Sequence, residues 1–247
     1  MDCFVINLDR SVNRWALISK QLNKLEIKFE RIPACDGRTI STIDYEHYLD
    51  LNAGIAHGKA KLTPGEVGCF LSHRECWKRL VESGNSYAAI LEDDIIISTR
   101  AASYLNSASW IPASVDLIML SLWDHEQTIY CLRNSKRISE DNELYRGIIP
   151  HPFGTQGYII SRRAAQKALD LSDRLFLPVD EFLFTDGSFP HFFKVWRMIN
   201  AVITRSEMPS DIGERRILED KVFYRFIDRM KRSLLKRILV KKMFKFL

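Results

Sequence analysis

The chain has 247 residues, 46% hydrophobic and 27% charged, with a formal net charge of +5. That length buries a full core as one domain, or one domain with an appendage, in a balance ordinary for a soluble globular protein. No apolar run approaches the ~20 residues of a membrane-spanning helix, which excludes an integral helical membrane protein. The charge is uneven: residues 221–247 hold ten Lys or Arg against the single acid Asp228, a net +9, which leaves −4 on residues 1–220. Five cysteines (Cys3, Cys35, Cys69, Cys76, Cys131), with no C-x-x-C and no signal peptide ahead of them, read as reduced thiols of a cytosolic protein.

In chain order, Phe4–Leu8 is a short apolar strand that ends at Asn7-Leu8-Asp9-Arg10. Trp15, Ile18, Leu22 and Leu25 recur at helical spacing. Phe29–Ala34 is a second strand, broken by Pro33, that runs into the turn Cys35-Asp36-Gly37-Arg38. Strand, helix, strand at this spacing is a βαβ unit, whose parallel strands present a ligand site at their C-terminal ends. Asn7, Arg10 and Asp36 fall on that side. Arg10 and Arg14 suit phosphate there, although either taken alone reads first as a solvated surface arginine.

The spacing predicts a helix over 41–51 and a polar loop over 52–61. Thr63-Pro64-Gly65-Glu66 is a capping box with Pro at the first helical position, and Gly84-Asn85 stops that helix. Ser72 and His73 lie within it. His73 reads as a hydrogen-bonded structural residue or as a catalyst.

Tyr87–Ser98 then reads Y-A-A-I-L-E-D-D-I-I-I-S, three carboxylates between two strand-like apolar runs. Acids gather at strand ends because turns are polar, but carboxylates at the lip of a core strand also need charge compensation. Side-chain alternation puts Glu92 and Asp94 on one face and Asp93 on the other. A hard divalent cation, Mn²⁺ or Mg²⁺, suits that pair together with a substrate diphosphate.

Beyond the acids, Ala101–Ala108 reads as helix and Val115–Leu120 as a buried strand. Residues 123–146 read as an insertion with a hairpin, Thr128–Leu132 forming one arm. The glycines of Gly154-Thr155-Gln156-Gly157 permit close backbone approach, ahead of a strand at Tyr158–Ile160 and a helix capped by Ser161. Pro178-Val179-Asp180-Glu181-Phe182 sets two acids among apolar residues, either as surface acids or as a carboxylate with the raised proton affinity of a general base. Residues 194–204 read as one or two late strands. In the tail Phe223, Ile227, Met230, Leu234 and Ile238 form one helical face among cations, the pattern of a helix lying on an anionic membrane surface. Nucleic acid is disfavoured by the acidic body, and a partner-protein helix is the other reading.

I-N-L-D-R-S-x-x-R at Ile6–Arg14, A-C-D-G-R at Ala34–Arg38, L-T-P-G-E-V-G-C-F-L-S-H at Leu62–His73, L-E-D-D at Leu91–Asp94, G-T-Q-G-Y at Gly154–Tyr158 and P-V-D at Pro178–Asp180 together resemble glycosyltransferase family 25. The resemblance implies a GT-A type α/β fold over residues 1–212, with a central, mostly parallel mixed sheet flanked by helices; the basic amphipathic helical tail over 213–247 lies outside the shared motifs. It also implies transfer, with inversion, of a hexose, galactose first, from a UDP-sugar to a lipooligosaccharide or lipopolysaccharide acceptor. The enzyme would sit in the cytoplasm against the inner face of the membrane. Carried over residue by residue, Asn7, Leu8, Arg10, Arg14, Asp36, Gly37, Ser72, His73, Asp93, Gln156 and Gly157 surround the donor. Glu92 and Asp94 serve the metal, and Asp180 is the base with Glu181 as runner-up. Gln156 stands where many relatives carry His. A non-catalytic nucleotide-sugar or glycan-binding protein and a metal-dependent phosphohydrolase are the alternatives.

Overall fold

The computed structural model describes residues 1–122, 126–149, 154–184, 193–206, 208 and 239–246. In order they form β1 (Asp2–Asn7), α1 (Val12–Lys24), β2 (Glu30–Pro33), α2 (Thr42–Tyr48), α3 (Leu51–Ala56), α4 (Pro64–Ser83), β3 (Tyr87–Glu92) and β4 (Ile95–Ile97). There follow α5 (Ala102–Leu105), β5 (Leu117–Met119), β6 (Ser121–Leu122), β7 (Glu126–Arg137), β8 (Glu143–Ile149), β9 (Gly157–Ser161), α6 (Arg162–Asp170) and α7 (Val179–Phe184). Last come β10 (Val195–Met198), β11 (Asn200–Ala201), β12 (Ile203–Arg205) and β13 (Leu239–Phe246).

Ten strands make one sheet in the order β11-β13-β7-β8-β10-β5-β9-β3-β1-β2, and β4-β12-β6 make a second. The βαβ unit is present: β1 pairs in parallel with both β2 and β3. The large sheet is not mostly parallel as expected. Among the described strands four of its nine pairings are parallel and five antiparallel, because β9 inserts antiparallel between β3 and β5 and the β7–β8 hairpin adds an antiparallel edge. Hairpins impose antiparallel neighbours, whereas only the crossover helices make parallel ones.

Strand side chains alternate between two apolar layers, so both faces of the sheet's centre are buried. Phe4, Ile6, Ala88, Ile90, Tyr158 and Ile160 face α4, α6 and α7 through Phe70, Trp77, Leu80, Ala165 and Phe182. Val5, Ala89, Leu91, Ile118 and Ile159 face α1 through Ile18 and Leu22. Helices therefore flank the central mixed sheet.

α4 starts as its sequence dictates. Thr63 Oγ1 accepts from Glu66 N, and Glu66 Oε2 accepts from Thr63 N at 2.8 Å, a complete capping box, while Gly84 ends the helix with φ 74°. The expected loop over 52–61 is instead partly helical. Asp50 caps α3 by accepting from Ala53 N at 2.9 Å, and Gly58 turns out of it with φ 62°. Gly37 lets the turn after β2 lie against the start of α4: a Cβ there would stand 2.0 Å from Pro64 O, and one on Gly68 2.6 Å from Cys35 O. This close contact fixes Asp36 beside the C-terminal end of β1.

The tail differs from its expectation. Leu239–Phe246 is a strand, not helix, and pairs antiparallel with β7 from Leu239↔Leu132 to Lys245↔Glu126. The proposed helical face from Phe223 to Ile238 lies outside the described residues.

Candidate functional site

Three consecutive residues mark the point where the chain leaves the large sheet for the small one. Glu92 is the last residue of β3, Asp93 and Asp94 form a bend, and β4 belongs to the other sheet. A switch of this kind at the C-terminal ends of parallel strands is where α/β sheets open a ligand crevice. Asn7 ends β1, and Asp36 follows β2, on the same edge.

The three acids separate by role. Asp93 is turned back into the protein: its Oδ2 accepts from Asn7 Nδ2 at 2.6 Å and its Oδ1 from Arg14 at 3.2 Å. Burial raises its proton affinity, against the pull of Asn7 and Arg14. Asn7, 1% exposed, also accepts from Arg31 Nε at 2.9 Å, so it organises the bend rather than offering a surface to a ligand. Glu92 is partly exposed, and two groups converge on its Oε1: the Thr155 hydroxyl, which donates, and His73 Nε2 at 3.4 Å. Asp94 is the strained member. Its Oδ1 is covered from solvent and has no hydrogen-bond partner among the described residues. Burial, with Glu92 repulsion second, pushes its carboxyl up to about 7. An unpartnered buried oxygen of this kind costs on the order of 1–3 kcal/mol. A hard cation is the group that satisfies both the orphaned oxygen and the mutual repulsion, so the donor set of Glu92 and Asp94 fits Mn²⁺ or Mg²⁺.

The loop Gly154–Gln156 ties the rest of the site together. Gly154 has φ 106°, a conformation that favours glycine, and its N–H donates to Asp180 Oδ2 at 3.0 Å. Thr155 donates to Glu92, and Gln156 O accepts from Glu92 N at 3.0 Å. Gln156 Oε1 accepts from Ser121 Oγ at 3.4 Å, and Gly157 leaves room for Ile203, whose Cδ1 would stand 2.5 Å from an added Cβ. Asp180, in the first turn of α7, is thereby brought to the acidic edge. The thiol of Cys69 registers this crowding: burial, then Glu92, Asp180, Asp94 and Glu66, raise it well above the ordinary range. Glu181 is engaged differently, in a 2.6 Å ion pair with Lys59.

On the other flank, Arg10 pairs with Asp36, and Arg38 adds a second contact at 3.1 Å. The Arg38 hydrogen bond is the main reason that the Asp36 carboxyl falls to about 2. Leu8 accepts from Ser11 N at 2.9 Å in the turn between β1 and α1.

Ser72 and His73 do not reach the crevice: they are 2% and 0% exposed. Ser72 Oγ accepts from Cys35 N and donates to Gly68 O, pinning the turn after β2 to α4. Both residues support the site from beneath through these bonds. Sequence reasoning missed Thr155, Lys59, Trp77 and the hydroxyl of Tyr158. Thr155 lay inside the motif Gly154–Tyr158 but was passed over for its glycines.

Residues 1–183 match the family described as "Glycosyltransferase family 25 (LPS biosynthesis protein)". The chain belongs to glycosyltransferase family 25. Similar members include "Procollagen galactosyltransferase 1-B" of Xenopus laevis, 32% identical over 197 residues, or 74% of this chain and 30% of that protein. A "Glycosyltransferase 25 family member" of Drosophila melanogaster is 33% identical over 193 residues, 73% of this chain and 29% of that protein. "Inactive glycosyltransferase 25 family member 3" of Mus musculus is 31% identical over 193 residues, 74% of this chain and 31% of that protein. The family 25 chain thus matches about a third of the length of these relatives. Every motif residue placed above, from Asn7 to Asp180, lies within the matched span.

Proposed function

We propose that this family 25 glycosyltransferase adopts the GT-A type of fold and moves a hexose, galactose first, with inversion from a UDP-sugar to a hydroxyl of a lipooligosaccharide or lipopolysaccharide glycan. The observation that carries this reading is the orphaned Asp94 Oδ1 beside Glu92, one loop away from Asp180.

The residues divide the work as follows. Asp94 and Glu92 hold a Mn²⁺ or Mg²⁺ ion, which when bound supplies Lewis-acid stabilisation of charge on the departing diphosphate. Arg10 and Arg38, gathered around Asp36, give the donor side of the crevice a cationic rim suited to phosphate. Asp93, Asn7 and Arg14 keep the bend in shape. Asp180 takes the proton of the acceptor hydroxyl as general base, a role usually worth ~10² to 10⁴ in rate. It is favoured over Glu181, whose charge is matched by Lys59. The chain works at the cytoplasmic face of the membrane, its basic segment 221–238 meeting anionic lipid.

Asp94→Ala removes donor-dependent turnover even at excess Mn²⁺, and Asp180→Asn lowers it at least 10²-fold with UDP binding kept. Wild-type turnover in the first variant contradicts the metal assignment, and in the second, the base. Two readings have specific support from the relatives. The mouse relative, named as inactive, favours a non-catalytic binding protein, which predicts UDP binding with no UDP release in the presence of acceptor. The Xenopus relative, named a procollagen galactosyltransferase, favours a collagen-type acceptor, which a panel of truncated lipooligosaccharide and procollagen peptides separates from the glycan.

A further inference from the structure

Beneath the acidic edge runs a buried polar chain that the reaction as drawn does not use. Trp77 Nε1 lies 2.8 Å from the Tyr158 hydroxyl, that hydroxyl lies 2.9 Å from His73 Nδ1, and His73 Nε2 lies 3.4 Å from Glu92 Oε1. Trp77, Tyr158 and His73 are all 0% exposed, so every proton in the chain must find its acceptor within the protein.

Counting donors fixes the direction. An indole nitrogen only donates, so Trp77 donates to the Tyr158 oxygen. Tyr158 then has one proton to place. If His73 carried its proton on Nδ1, the Tyr158 oxygen would receive two donors and its own O–H would have no acceptor among the described residues, while the bare Nε2 lone pair faced the Glu92 carboxylate. An imidazolium leaves the same Tyr158 proton unplaced. One arrangement satisfies every group: Tyr158 O–H donates to Nδ1, and Nε2–H donates to Glu92 Oε1. Thr155 O–H donates to that same oxygen. Two donors on Oε1 orient the carboxylate and leave Oε2 with no hydrogen bond among the described residues.

The same geometry bears on a rival reading. Cys69, His73 and Glu92 offer ligand atoms within 4.8 Å of one another, with Cys69 and His73 one helical turn apart, a grouping that suits a thiophilic ion such as Zn²⁺. An imidazole that donates from Nε2 has no lone pair there to give, so an ion at this grouping would cost His73 its bond to Glu92.

We propose that His73 is a positioning residue: held in the Nε2–H tautomer by Tyr158 and Trp77, it fixes Glu92 Oε1 so that Oε2 is presented to the donor's cation. This rests on the metal reading of Glu92 given above, while the tautomer itself does not. Outer donors of this kind are worth about 10–100-fold in metal affinity.

Two measurements test it. In metal-free protein labelled with ¹⁵N-histidine, the resonances of His73, assigned by their loss in His73→Gln, should show a protonated Nε2 and an unprotonated Nδ1. A proton on Nδ1 alone, protons on both nitrogens, or loss of the Nε2 proton on adding Zn²⁺ overturns the proposal. Mn²⁺ affinity is then read from the electron paramagnetic resonance of free Mn²⁺ at saturating UDP. His73→Gln, whose amide N–H reaches the place of Nε2, should bind Mn²⁺ near wild-type strength. His73→Asn, which mimics only Nδ1, should bind about 10–100-fold more weakly. If Glu92→Gln weakens Mn²⁺ and His73→Asn does not, the positioning role is refuted. If neither weakens it, the metal reading of Glu92 fails and the role falls with it, whatever the tautomer.

Discussion

Cys3 and Cys76 lie wholly inside the core, and burial lifts their thiols, that of Cys3 to about 12 and that of Cys76 well above the ordinary range. Because a raised thiol is protonated until the pH passes its shifted value, neither forms appreciable thiolate at pH 8. Native protein treated with iodoacetamide at pH 8 should leave both unmodified, with labelling only after denaturation; rapid labelling of either in the native state contradicts its placement. The acidic triplet is the residue-scale feature most open to sequence reading. Alternation along a strand separates Asp93 from Glu92 and Asp94, and in the structure the strand ends at Glu92 while Asp93 turns back to Asn7. His73 and Ser72 were not legible in the same way. Their motif marks them as important, but only the packing of α4 on β9 shows that they face inward.

At the scale of elements, the contact between the turn after β2 and the first turns of α4 positions Asp36, and it depends on two missing side chains. Gly37→Ala would drive a methyl group into Pro64 O and Gly68→Ala one into Cys35 O, both backbone atoms with little room to retreat. Each should cost about 1–3 kcal/mol and weaken UDP binding, read from urea titrations and calorimetry. Stability within ~0.5 kcal/mol of wild type would show that this contact is loose. The signals for α4 were local and strong: Thr63, Pro64, Glu66 and Gly84 each act within one turn. Those for α3 were equally local, with Asp50 as cap and Gly58 as stop, but Gly54 inside the helix made the segment read as loop. Gly54 is buried, and what it loses in intrinsic helix propensity the tertiary setting overrides.

For the whole molecule, sequence patterns gave the α/β class and the βαβ unit, but not the mixed character of the sheet. Strand direction is decided by connections such as β9 between β3 and β5, which leave no mark on any single strand. The tail shows the same limit. Lys241, Lys242 and Lys245 continue the basic run that reads as an amphipathic helix, yet they lie on a strand that pairs with β7, a long-range pairing no local pattern announces. Truncation at Lys221 therefore does more than remove charge. Loss of β13 should lower stability by on the order of a few kcal/mol. Replacing Arg229, Lys231, Arg232 and Lys236 by Glu should instead keep the melting temperature while weakening binding to anionic vesicles at low salt. Unchanged vesicle binding in the charge-reversed protein contradicts membrane-surface association.

A cation and a nucleotide should meet at the switch between the two sheets. Anomalous diffraction at the manganese edge, from crystals of the protein grown with UDP and Mn²⁺, locates both at once. The expected result is a manganese peak in direct contact with the Asp94 and Glu92 carboxylates, with the diphosphate on its far side. A peak or a nucleotide bound away from those two residues would contradict it.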